Sequence, residues 1–123
     1  HYINDDGSHI PEHQALTFNT LFPLLEPGGI YIIEDIEVSY WEGRGIYGYK
    51  ADYGLNHPKS IMSMFKKVAD GINISLQRHD YRNDPTRGSL YRPFENIDQD
   101  ILHLEDIHSI TFARNCIIVR KEK

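Results

Sequence analysis

Two short polar clusters carry the residues best suited to chemistry. The first is Asn4-Asp5-Asp6-Gly7-Ser8-His9, and the second is Glu34-Asp35 at the end of the apolar run Ile30-Tyr31-Ile32-Ile33. Ligands of open α/β sheets bind at the C-terminal ends of the strands. If the strands leading into the two clusters are parallel neighbours, their acids meet at one edge. Carboxylates held close together repel one another and resist ionisation, and a divalent cation relieves that repulsion. Carboxylate oxygens suit Mg²⁺, Mn²⁺ or Ca²⁺. A cation so held can bind a substrate hydroxyl and lower its pKa, with His9, three residues after Asp6, placed to accept the proton. Each cluster also has a simpler reading. Asp and Ser cap helix starts and favour the positive end of the helix dipole, Glu34-Asp35 suits the start of a solvated loop, and a histidine at a helix start is commonly a surface residue. Spacing and composition alone reach an acidic metal site and no particular reaction.

The elements that must position these residues follow from periodicity. Tyr2-Ile3 reads as the tail of a strand. Ser8 is a candidate N-cap, Pro11 suits a first helical turn, and Ala15, Phe18, Phe22 and Leu25 form the buried stripe of a helix that Pro23 ends or kinks. Glu26-Pro27-Gly28-Gly29 is a stop and a turn. Residues 30–33 suit a strand covered on both faces. Residues 36–57, rich in Gly and Tyr, read as a long loop or lid. His57-Pro58 opens a second helix with Ile61, Phe65, Val68, Ile72 and Leu76 inward, and residues 77–106 read as a surface loop with one short helix. Ser109-Ile110-Thr111-Phe112 and Cys116-Ile117-Ile118-Val119 form a hairpin around residues 113–115. Strand, helix and strand imply a parallel pair, and the hairpin adds an antiparallel strand to it.

Composition narrows the function classes. The 123 residues fit one domain with a modest core, numbered 1–123 throughout. Formal net charge is −5, with 18 acids against 13 Lys plus Arg, which argues against a general nucleic-acid or membrane-surface binder. One cysteine, Cys116, cannot form an internal disulfide and suits a reducing, cytoplasmic setting and a place in the core. The partner expected is a small-molecule substrate.

The clusters also carry a resemblance. Asp5-Asp6-Gly7-Ser8-His9, followed by a helix and by Leu24-Leu25-Glu26-Pro27-Gly28-Gly29-Ile30-Tyr31-Ile32-Ile33-Glu34-Asp35, resembles the metal-dependent O-methyltransferases that act on macrolide sugars, with the related rhamnosyl O-methyltransferases and the cephalosporin hydroxylase group. The likeness continues through Ser39-Tyr40-Trp41 and the closing hairpin. The Pro-Gly-Gly turn is common to class I methyltransferases; the paired acidic motifs are more specific. The resemblance implies an α/β fold, the C-terminal half of a Rossmann-like methyltransferase sheet, with the cofactor-binding N-terminal half absent. It implies S-adenosylmethionine and Mg²⁺ as cofactors, with Asp6, Glu34 and Asp35 as metal ligands and His9 as the base. Asp5 and Ser8 would touch the cofactor, although helix capping suits them equally. Asn4 departs from the apolar residue expected of the strand, and no Gly-rich strand–turn–helix occurs in the chain.

Tyr40, Trp41, Tyr47, Tyr49 and Tyr53 suit a lid whose faces pack on a sugar, or else fasten the loop to the core; Tyr40 and Trp41 lie within the resembling segment. His13, one turn past His9, suits either the site or the helix surface. Arg78, Arg82, Arg87 and Arg92 suit a solvated loop or an anionic acceptor. Two further functions compete with methyl transfer: a hydrolase or hydroxylase on the same carboxylate–metal site, and a binding or assembly module without catalysis. The partial sheet is expected to expose a strand edge and to associate as a homo-oligomer.

Overall fold

The computed structural model describes residues 1–76 and 100–123. The elements are β1 (Tyr2–Asp5), α1 (Pro11–Leu21), β2 (Ile30–Glu34), β3 (Arg44–Ile46), β4 (Tyr49–Ala51), α2 (Ile61–Gly71), β5 (Ile107–Ala113) and β6 (Cys116–Lys121), with short 3-10 turns between them. Four strands form a mixed sheet in the order β1-β2-β6-β5. β1 and β2 are parallel; β6 runs antiparallel to both β2 and β5. The fold is therefore α/β as expected, and the C-terminal hairpin joins the sheet through β6.

Strand alternation decides which face is buried. Tyr31 and Ile33 of β2 and Ile117 and Val119 of β6 have no exposed surface and pack against α1 and α2. The intervening Ile30, Ile32, Cys116 and Ile118 occupy the other face and are half-buried. Cys116 is thus on the less covered face and not in the core. Ala15, Phe18, Phe22 and Leu25 are all buried, as the helical spacing predicts. Phe18 is the hub: its ring stacks on Phe22 at 4.6 Å and meets Tyr31 and Phe65 edge-on at 5.0 and 5.1 Å. Such aromatic pairs add about 0.5–1.5 kcal/mol each beyond the apolar area they bury.

The turn into β2 explains its glycines. Gly28 has φ +80°, and a Cβ on Gly29 would lie 2.6 Å from Leu25 Cγ. Lys121 closes this end, its ammonium donating to the carbonyls of Pro23 and Leu25 at 2.9 and 2.7 Å.

Four expectations change. Ile10, not Ser8, is the N-cap of α1; the Ser8 hydroxyl instead accepts from Ile10 N, two residues on, in a local turn. α2 begins after Ser60, whose hydroxyl accepts from Ser63 N, whereas the His57 ring accepts from Lys59 N in the preceding turn. Leu76 leaves the helical stripe because α2 ends at Gly71, and it is 67% exposed in a 3-10 turn. The stretch 36–57 is not structureless: it holds a 3-10 turn at Glu37–Tyr40 and the β3–β4 hairpin. Arg78, Arg82, Arg87 and Arg92 lie outside the described residues.

Candidate metal and base site

The parallel register brings the two acidic clusters to one edge. Asp5, the last residue of β1, is opposite Ile33, so Asp6 and Glu34 both follow at the same end of the two strands. Alternation then assigns their side chains to faces. Glu34 shares the face of Ile30 and Ile32, and Glu34 Oε2 accepts a long 3.5 Å contact from Asn4 Nδ2 on the same face. Asp5 turns toward the helices, where it accepts from Tyr31 Oη at 3.3 Å and from Gly7 N at 3.2 Å. Burial pushes the Asp5 carboxyl above its ordinary value, against the opposing pull of these two bonds. Asp5 is therefore engaged by its own chain, which favours its structural reading.

Asp35 stands at the end of β2 with φ +58°, a left-handed conformation that costs a non-glycine residue free energy. The surroundings hold it there. The buried Gln14 amide donates to the carbonyls of both Glu34 and Asp35 at 3.1 Å. Across the turn joining β5 to β6, Asp35 N donates to Asn115 O at 3.0 Å, and Asn115 Nδ2 donates to Asp35 Oδ1 at 3.3 Å. Strain retained under such support is a mark of functional sites.

His9 lies within this cluster. Its Nε2 is 3.2 Å from Asp35 Oδ2 and its Nδ1 is 2.7 Å from Glu37 Oε1. His9, Asp35 and Glu37 offer ligand atoms all within 4.8 Å of one another; among the described residues the other such group is His103, Glu105 and Asp106. Among the described residues the structure thus unites His9 with Asp35, does not bring Asp6 or Glu34 into that group of close ligand atoms, and adds Glu37, which the spacing of the sequence does not signal. Glu37 Oε2 and Gln14 Oε1 are buried without a hydrogen-bond partner. Gln14 was also missed, although its spacing of four from Phe18 and eight from Phe22 puts it on the buried stripe.

The β3–β4 hairpin borders the site. Its turn, Tyr47-Gly48, has positive φ at both residues. The Tyr47 ring meets His9 edge-on at 5.9 Å, and Tyr49 meets His13 at 5.2 Å. His13 Nδ1 is 2.9 Å from Ser8 Oγ, so Ser8, like Asp5, is bonded within the chain. Tyr40 is 47% exposed, and Trp41 is half-buried with the Arg44 guanidinium 5.7 Å from its ring centre. The ring seen on His9 is that of Tyr47, not that of Tyr40 or Trp41.

The donor set suits a hard cation. Asp35 and Glu37 offer carboxylate oxygens beside His9, the ligand type and number of carboxylates that Mg²⁺ takes. Asp35 is already fixed by its backbone, and Asp6 and Glu34 each directly follow the last β1–β2 pair, Asp5 and Ile33.

No family model matches the chain. Curated relatives do match. The chain is 35% identical over 110 residues to the demethylmacrocin O-methyltransferase of Streptomyces fradiae, covering 89% of this chain and 25% of that protein. It is 35% identical over 111 residues to the mycinamicin VI 2''-O-methyltransferase of Micromonospora griseorubida, covering 90% and 25%. Among solved structures, the MycE methyltransferase of the mycinamycin biosynthetic pathway, in complex with Mg, SAH and mycinamycin VI, superimposes with a TM-score of 0.67 at 26% identity. That match covers 99% of this chain and 26% of that one. The chain spans about a quarter of the length of these relatives. Along most of its length it resembles the macrolide-sugar O-methyltransferases, and it has the fold of the corresponding part of MycE.

Proposed function

We propose that this chain is the metal- and base-bearing part of an S-adenosylmethionine-dependent O-methyltransferase, and that the acceptor is a hydroxyl on a sugar or another small natural product. The observation that carries the reading is the placement of His9 against Asp35 at the shared end of β1 and β2. Its support is the 35% identity to two O-methyltransferases across nine-tenths of the chain.

In this reading Asp6, Glu34 and Asp35 hold Mg²⁺. When bound, Mg²⁺ acidifies the acceptor hydroxyl and S-adenosylmethionine supplies the methyl group. The chain's own residues do the rest. His9 takes the hydroxyl proton on a ring nitrogen. Gln14 and Asn115 keep Asp35 in its left-handed conformation, which turns its carboxylate to His9. Tyr47 meets the imidazole edge-on from the β3–β4 hairpin. Tyr40 and Trp41 present aromatic surface to the acceptor, whereas Asp5 and Ser8, bonded within the chain, brace the end of β1 and the turn into α1.

The test is calorimetric titration of the chain with Mg²⁺ and with S-adenosylmethionine, repeated on Asp6→Ala. The proposal expects Mg²⁺ binding that Asp6→Ala removes, and cofactor binding in the protein that contains the chain. Metal binding without cofactor binding in that protein would point to hydrolase or hydroxylase chemistry. Binding of neither would favour an assembly module.

A further inference from the structure

We propose that Glu37 is the positioning residue of His9: it holds the imidazole proton on Nδ1 and so turns the Nε2 lone pair toward the acids of the strand ends. The inference rests on the reading of His9 as the base.

The two contacts of the ring are unequal. Nδ1 to Glu37 Oε1 is 2.7 Å, the length of a charge-assisted hydrogen bond, whereas Nε2 to Asp35 Oδ2 is 3.2 Å. A carboxylate only accepts, so the short contact requires a proton on Nδ1. A doubly protonated ring would face both acids with N–H groups; the neutral ring carries one N–H, which the shorter contact keeps on Nδ1, and this leaves Nε2 as the basic nitrogen. Nε2 is also the nitrogen on the Asp35 side, where an acceptor hydroxyl must arrive. Which ring nitrogen is protonated is set by the bond made at the other one.

Glu37 is built for a fixed position. It opens the 3-10 turn Glu37–Tyr40, between Ile36, 3% exposed, and Val38, which has no exposed surface. Those two neighbours anchor the backbone of Glu37 in the core. Its Oε2 is buried without a partner, so its visible bond is the one to His9. Asp35 has the Asn115 amide as a second partner and a proposed share in the cation; Glu37 has neither, and its placement is accounted for by His9.

The test is long-range ¹H–¹⁵N correlation on the chain labelled with ¹⁵N-histidine, at about pH 8.5, where an ordinary imidazole is neutral. His9 is identified among the seven histidines by the resonances lost in His9→Gln. The expected result is a pyrrole-type Nδ1 and a pyridine-type Nε2 for His9, reversed in Glu37→Ala because neutral imidazole in water favours the proton on Nε2. Should Glu37→Ala fail to fold, Glu37→Leu, which fills more of the space, replaces it. A proton on Nε2 in the unaltered chain overturns the proposal, as does a proton that stays on Nδ1 after Glu37 is removed. The readout needs neither Mg²⁺ nor S-adenosylmethionine, so it stands or falls separately from the methyltransferase reading.

Discussion

The two ends of β2 are built on opposite principles. At its start, the end of the helical segment before the Glu26–Gly29 turn leaves the carbonyls of Pro23 and Leu25, which a single ammonium, that of Lys121, satisfies, and Gly28 N and Gly29 N both have backbone acceptors. At its finish, Glu34, Asp35 and nearby Asp6 and Glu37 concentrate acceptors, the ring that faces Asp35 and Glu37 is His9, and two buried oxygens lack a donor. One end is closed and satisfied; the other is strained and rich in negative charge. The contrast teaches that the first end is arranged for stability, whereas the second carries strain and unsatisfied acceptors that the proposed site would use. Such an exchange is common where function needs strained or crowded groups.

The contrast can be broken at either end. Lys121→Ala removes two good hydrogen bonds and the cation over the Phe22 ring. It should cost about 2–3 kcal/mol in denaturant unfolding, because charged hydrogen bonds to half-buried carbonyls are lost, and should leave Mg²⁺ affinity unchanged. Gln14→Ala acts at the other end. Losing both carbonyl bonds should cost about 1–3 kcal/mol, and it should weaken Mg²⁺ binding as well, about 10-fold or more, since supports of a ligand affect affinity to that degree. Calorimetry on the two variants separates stability from site.

Asp35→Gly sharpens the contrast further. Glycine accepts φ +58° without strain, so stability should hold or rise by up to about 1 kcal/mol, while Mg²⁺ binding is lost. A variant that both unfolds more easily and still binds Mg²⁺ would remove Asp35 from the site. The smallest effect concerns Tyr31. Burial, followed by the Asp5 charge, raises its phenol well above the ordinary range. A raised pKa means stability that is fully present below the unfolded value, about 10, and lost as pH climbs beyond it. Tyr31→Phe should flatten that alkaline loss in thermal melts between about pH 9 and 11 and change stability near neutrality by about 1 kcal/mol or less.

Much of the fold was legible because long-range packing agrees with local pattern. The stripe of Ala15, Phe18, Phe22 and Leu25 and the β-branched runs of β2 and β6 announce themselves by period, and they fix which strand ends meet. That is why the shared strand end that carries Asp35 and His9 was legible from spacing, whereas Asp6 and Glu34 enter as ligands only through the resemblance. Glu37 could not, because a lone acid in a polar stretch has no period; a 3-10 turn after a left-handed Asp35 brings it to His9. The β3–β4 hairpin was hidden for a similar reason. Its turn uses Tyr47 at positive φ, where Asn or Asp before Gly is the recognisable signal. The start of α2 was misplaced because Pro58 resembles a first-turn proline, whereas the Ser60 hydroxyl does the capping.

The central claim is that the strand-end acids hold one divalent cation beside His9. Mn²⁺, which takes the same oxygen ligands as Mg²⁺, broadens NMR signals near it. Added in substoichiometric amounts, it should broaden the amides of Asp6 and Asp35 and the ring of His9, and excess Mg²⁺ should restore them. Broadening centred instead on His103 and Asp106, or spread evenly over the acidic surface, would contradict the account.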